Sequence, residues 1–115
     1  MDKGTKSVTE RPIDPVIREF KKKIKRIYGK RLRSIVLYGS WARNEAKDHS
    51  DIDRLVVLSG RVTRPGREID RMMDIILNIG LKYDRLLSIF PVSYNAYKRR
   101  QSPLLINVRK EGVEI

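Results

Sequence analysis

The sequence predicts a small α/β (α+β) domain, a mixed β-sheet of three to four strands flanked by helices. Three observations carry that expectation. An amphipathic stretch comes first, with Val16, Ile17, Phe20, Ile24, Ile27 and Tyr28 on one helical stripe. Two short apolar runs, 34–38 (Ser-Ile-Val-Leu-Tyr) and 55–58 (Leu-Val-Val-Leu), then flank a polar stretch holding Gly39-Ser40 and Asp51-Ile52-Asp53. A second helical stripe and a third strand-like run follow.

Residues 1–12 are polar and are expected to form a flexible N-terminus, leaving 13–115 as a single domain. Pro15 suits the first turn of a helix capped by Asp14, and Gly29 ends that helix. Residues 32–38 form the first core strand. Residues 40–46 form a short helix with Ser40 at its N-cap, and 47–50 a turn. Residues 51–59 form the second strand, and 60–66, with Pro65, a loop. A helix over 68–81 follows, with Ile69, Met72, Met73, Ile76 and Gly80 inward. The methionines read as core, and Gly80 allows close approach to the sheet. The third strand spans 83–90 and stops at Pro91. Two short helices, 93–100 and 103–111, complete the chain.

Composition narrows the function classes. There are 115 residues, 40% of them hydrophobic, which allows one modest core. No apolar run is long enough to cross a membrane as a helix, and the N-terminus lacks the apolar segment of a signal peptide, so a cytoplasmic location is expected. The absence of cysteine removes disulfides, thiolate zinc sites and thiol catalysis together. A net charge of +12 favours acidic partners such as nucleotides, nucleic acid or an acidic protein surface. Nine Lys or Arg lie between Arg18 and Arg33, against the single acid Glu19. A solvated helix face is the plainer reading of that run, and the absence of interleaved aromatics weakens a single-strand binding role. Leu104, Leu105 and Ile106 near the C-terminus suggest association with a partner or with a second copy.

The chemistry concentrates in residues 39–53. Gly39 lets a phosphate approach the backbone, and Ser40 offers a hydroxyl beside free N–H groups. Asp51 and Asp53 leave the same face of a strand, about 6.6 Å apart along it, and can converge on hard cations such as Mg²⁺. Like charges so placed repel unless a cation is shared. Gly-Ser or Asp-x-Asp alone is common. Their conjunction between two apolar strands is specific, and it suits holding a nucleoside triphosphate through phosphates and metal. Rival motifs fail: there is no phosphate-binding Gly-x-x-x-x-Gly-Lys loop and no Gly-x-Gly-x-x-Gly. His49, the single histidine, reads as an exposed loop residue.

At these residues the chain resembles the nucleotidyltransferase superfamily typified by DNA polymerase β, and within it the MNT-type minimal nucleotidyltransferases. The hallmark of Gly-Ser, ten residues, then Asp-x-Asp is met by Gly39, Ser40, Asp51 and Asp53. Tyr38, Ala42-Arg43, Ser50 and the ending from Ser102-Pro103 through 107–112 (Asn-Val-Arg-Lys-Glu-Gly) also fit. Asn44 stands where Gly is usual, and Arg54 where an apolar residue is usual. By strand alternation Arg54 should point away from Asp53. The resemblance implies a third carboxylate on a later strand, for which Asp84 is the candidate. It implies two Mg²⁺ ions held by Asp51, Asp53 and Asp84, ATP as substrate, and phosphate contacts from Gly39, Ser40 and Arg43. It further implies an antitoxin that transfers AMP to a tyrosine of a HEPN-domain ribonuclease toxin. Two alternatives stay open: an antitoxin that silences by binding alone, and a nucleotidyltransferase acting on RNA.

Overall fold

Three strands from the middle of the chain carry the molecule. The computed structural model describes residues 13–43, 46 and 51–115. The expected N-terminal arm over 1–12, Asn44, the 47–50 turn, His49 and Ser50 lie outside the described residues. The elements are α1 (Asp14–Tyr28), β1 (Leu32–Tyr38), β2 (Ile52–Leu58), α2 (Pro65–Tyr83), β3 (Leu87–Ser93), α3 (Tyr94–Arg99), α4 (Pro103–Glu111) and β4 (Val113–Glu114). The sheet runs β3-β2-β1-β4. β1 is antiparallel to β2 and β4, and β2 is parallel to β3.

Alternation along β1 and β2 divides the core in two. Ile35, Leu37, Ile52, Val56 and Leu58 face α1 and α2, where they meet Phe20, Ile24, Met72 and Ile79. Val36, Leu55, Val57 and Val92 face the other way and meet Leu105 and Val108 of α4. Leu105, expected on an exposed apolar patch, is therefore core, while Ile106 is 43% exposed.

Several boundaries differ from expectation. Ile13, not Asp14, sits at the N-cap of α1, and no side chain caps it. Gly29 does end the helix, with φ of 55°. The helix expected to begin at residue 68 starts at Pro65, because a proline at the first helical position surrenders an N–H that has no partner there anyway. The third strand begins at Leu87 rather than 83 and runs through Pro91. Proline is tolerated because β3 is an edge strand, paired only with β2. The short helices are capped by side chains: Ser93 Oγ accepts from Ala96 N at 3.1 Å, and Ser102 Oγ from Leu105 N at 3.2 Å. β4 had no sequence signal, being two residues long.

Candidate active site

The Gly-Ser segment folds as a single 3₁₀ turn, Gly39–Trp41, and among the described residues of 40–46 the short helix expected there does not continue beyond Trp41. The Gly39 carbonyl accepts from Ala42 N at 3.1 Å and Arg43 N at 3.3 Å. Ser40 therefore lies inside the turn. Tyr38 occupies the N-cap position, and no side chain caps there. Behind the turn, Trp41 is buried and the Arg85 guanidinium lies 5.5 Å from its ring, so the loop after α2 is held against the Gly-Ser turn. The Ile52 N–H donates to the Leu86 carbonyl at 3.0 Å, which fixes the start of β2 to that same loop.

Gly39 has φ of 77°, a left-handed conformation that favours glycine. A Cβ built there would overlap Oδ2 of Asp53. The missing side chain thus makes room for the carboxylate itself, beyond the phosphate access expected from the sequence. Asp53 is cross-strand from Tyr38 on β1 and half-buried. Its carboxyl is held above the ordinary carboxylate range, first by burial and then by the nearby Asp51 charge, against an opposing pull from Arg43. Burial, and then Asp53, also raise the Tyr38 hydroxyl. Arg43 ion-pairs with Glu111 at the end of α4 at 3.5 Å. Gly112 next in the chain passes so close to Val36 and the Val108 carbonyl that a Cβ would not fit. The chain ending singled out in the sequence is thus pinned beside the Gly-Ser turn.

Asp51 precedes β2 and is exposed. It shares an open pocket of about 390 Å³ with Gly80, Asp84, Arg85 and Leu86. Asp84 is not on a strand as expected. It caps α2 in the left-handed conformation, φ 52°, which Asp adopts more readily than most residues. Gly80 likewise does not serve helix–sheet approach: a Cβ there would press on the Arg85 carbonyl of this loop. The residue paired with Asp53 on β3 is Ser88, so a hydroxyl stands on the strand position facing it.

Among the described residues, no group of three or more His, Cys, Asp or Glu side chains comes together as a metal cluster. The three-carboxylate set of Asp51, Asp53 and Asp84 is therefore not assembled, although Asp51 and Asp84 border one pocket. The pair Asp51 and Asp53 still suits a hard divalent cation. Both donors are carboxylates, and Asp51 lies near enough for its charge to raise Asp53.

The model of the nucleotidyltransferase domain family matches residues 17–111. This chain belongs to that family. Within it, the chain is 33% identical to "Putative protein adenylyltransferase MJ0141" of Methanocaldococcus jannaschii, over 87% of this chain and 95% of that protein. It is 36% identical to "Putative protein adenylyltransferase MJ1305" of the same organism, over 72% of this chain and 55% of that protein. In three dimensions it is similar to a crystal structure described as "a putative nucleotidyltransferase from Sulfolobus solfataricus". The TM-score is 0.50 with 22% identity, over 93% of this chain and 87% of that one. That likeness supports the mixed-sheet fold of a nucleotidyltransferase.

Trp41 and Ser88 were not foreseen, and Glu111 was singled out only as part of the matching chain ending, without its pairing to Arg43. Trp41, the single tryptophan and adjacent to Gly-Ser, carried a local signal. Glu111 and Ser88 reach the site only through tertiary pairing, which no local pattern encodes.

Proposed function

We propose that this nucleotidyltransferase moves AMP from ATP onto a hydroxyl of a protein acceptor, and that the acceptor is a tyrosine of a HEPN-domain toxin for which this chain is the cytoplasmic antitoxin. The observation that carries the transfer reading is the Asp51 and Asp53 pair set against Gly39 and beside Arg43. The relatives named as protein adenylyltransferases support a protein acceptor. The toxin rests on the MNT resemblance of residues 39–53.

Gly39 and Ser40 meet the triphosphate. Arg43, steadied by Glu111, approaches its charge. Asp51 and Asp53 would hold Mg²⁺, which would supply charge neutralisation at the phosphates and acidify the acceptor hydroxyl. The acceptor oxygen bonds to the α-phosphorus, and the bond to the β-phosphate oxygen breaks. Pyrophosphate leaves. The hydroxyl proton passes to Asp84, which borders the same pocket as Asp51.

The test is intact-protein mass spectrometry of the chain co-expressed with its genomic neighbour and then given ATP and Mg²⁺. AMP-sized mass steps on the neighbour, lost in Asp51→Asn/Asp53→Asn, are expected. A tight complex with no mass step would instead favour silencing by binding alone.

A further inference from the structure

Beside the carboxylate pocket lies a second opening that the transfer chemistry leaves unused. It is a groove of about 430 Å³ between α1 and the end of α2, lined by Arg18, Glu19, Lys22, Lys23, Arg26 and Tyr83, with Pro15 at one end. Its floor is already neutralised. Glu19 pairs with Lys23 at 3.0 Å and Lys82 at 2.9 Å and accepts from Tyr83 Oη at 2.8 Å, and these contacts hold its carboxyl down at about 2. The rim is not. No acid among the described residues lies within ion-pair distance of Lys22 or Arg26, both exposed and one helical turn apart. The groove is thus a fixed basic surface rather than a flexible one, because its inner side chains are locked by Glu19.

Its location gives it meaning. Tyr83 lines the groove, and Asp84, Arg85 and Leu86, the next three residues, line the carboxylate pocket. The two openings are neighbours along one stretch of chain. An apolar side chain stands beside them: Leu86, which lines the carboxylate pocket, is 66% exposed. A polyanion that simply follows charge has no use for an exposed leucine, whereas a protein surface does. Nucleic acid would in turn want free aromatic faces, and the groove's one aromatic, Tyr83, is tied to Glu19.

We infer that this groove docks an acidic segment of the protein acceptor, with Lys22 and Arg26 as the discriminating contacts and the exposed Leu86 as the apolar flank that leads the acceptor hydroxyl to Asp51 and Asp84. The inference rests on the protein-acceptor reading above, and its test is read without ATP so that the two fail separately.

The full chain is titrated into a fluorescein-labelled peptide, a tyrosine flanked on each side by five glutamates, and anisotropy is followed. Binding that weakens with salt, falls roughly tenfold in Lys22→Glu/Arg26→Glu and persists in Asp51→Asn/Asp53→Asn is expected. Equal binding by the charge-reversed variant overturns the docking site. So does a ten-nucleotide oligouridylate that binds more tightly than the peptide through the same two residues, since the groove would then be a nucleic-acid surface. Replacing the glutamates by serines supplies the last check: the docking account requires that affinity drop, and unchanged affinity contradicts it.

Discussion

Along β2, Asp53 turns toward Tyr38, Gly39 and Arg43, whereas Arg54, one residue later, turns under α1 and lies 4.4 Å from the Phe20 ring. Both side chains carry a charge that the protein does not fully answer. Asp53 sits beside a second carboxylate, and its proton affinity is raised. Arg54 is fully buried, and none of its three guanidinium nitrogens has a hydrogen-bond partner among the described residues. Burial pushes it down to about 10, so it stays charged at neutral pH. The difference lies in access. Asp51 opens the Asp53 side to solvent, where a mobile cation can resolve the repulsion. On the Arg54 side no ion can enter, and only the face of an aromatic ring offsets the lost hydration. One strand therefore carries an unmet charge on each face: on the Asp53 face a cation can answer it, and on the Arg54 face it costs stability. Glu68 shows how a buried charge is otherwise handled. It accepts from Tyr28 Oη at 2.8 Å and lies 3.7 Å and 3.6 Å from Arg31 and Arg71.

The most severe way to break the contrast is at Gly39. Gly39→Ala forces a Cβ into the Asp53 carboxylate at a left-handed φ. AMP transfer should fall about 100-fold through the displaced carboxylate, and stability by about 1–3 kcal/mol, measured by steady-state kinetics and urea unfolding. Next in size are opposite changes at the two buried charges. Glu68→Ala leaves the Tyr28 hydroxyl without its acceptor and should cost about 1–3 kcal/mol. Arg54→Met removes an unpaired buried charge and should raise stability by about 1 kcal/mol or more with transfer nearly unchanged. Loss of transfer in Arg54→Met at intact stability would erase the division between the faces.

The elements that carry the site were legible in the sequence. The 32–38 strand, the placement of Asp53 near the start of the next strand, and the turn of Arg54 to the face opposite Asp53 all follow from alternation, whereas Asp51, expected on that strand, lies just before it. What was not legible depended on neighbours distant in sequence. Pro91 looked like a strand stop because its edge position cannot be read locally. Asp84 looked like a strand residue because the run 83–90 is apolar enough, yet α2 persists to Tyr83 and Asp84 supplies its left-handed cap. Ser40 matched a helix cap by residue type, but the turn that formed is one 3₁₀ turn closed on the Gly39 carbonyl.

The smallest expected effect is on pH dependence. The folded-state pKa of Asp53 lies above its unfolded value, so the folded state binds the proton more tightly. Its contribution to stability is therefore greatest in acid and declines as pH rises from the ordinary carboxylate value through the raised one. Glu19, lowered to about 2, acts in the opposite sense: its contribution is present above its ordinary value of 4.5 and is lost as pH falls toward 2. Asp53→Asn should remove only the first component, visible as a flatter melting-temperature profile just above the ordinary carboxylate range.

Carboxyl-carbon NMR titration of Asp53 with and without Mg²⁺ asks whether the Asp53 side of β2 takes up a cation. The account predicts a raised pKa without the ion that falls to the ordinary range or below when Mg²⁺ is added, with the fall abolished in Asp51→Asn. An Asp53 pKa that Mg²⁺ leaves unmoved would contradict it.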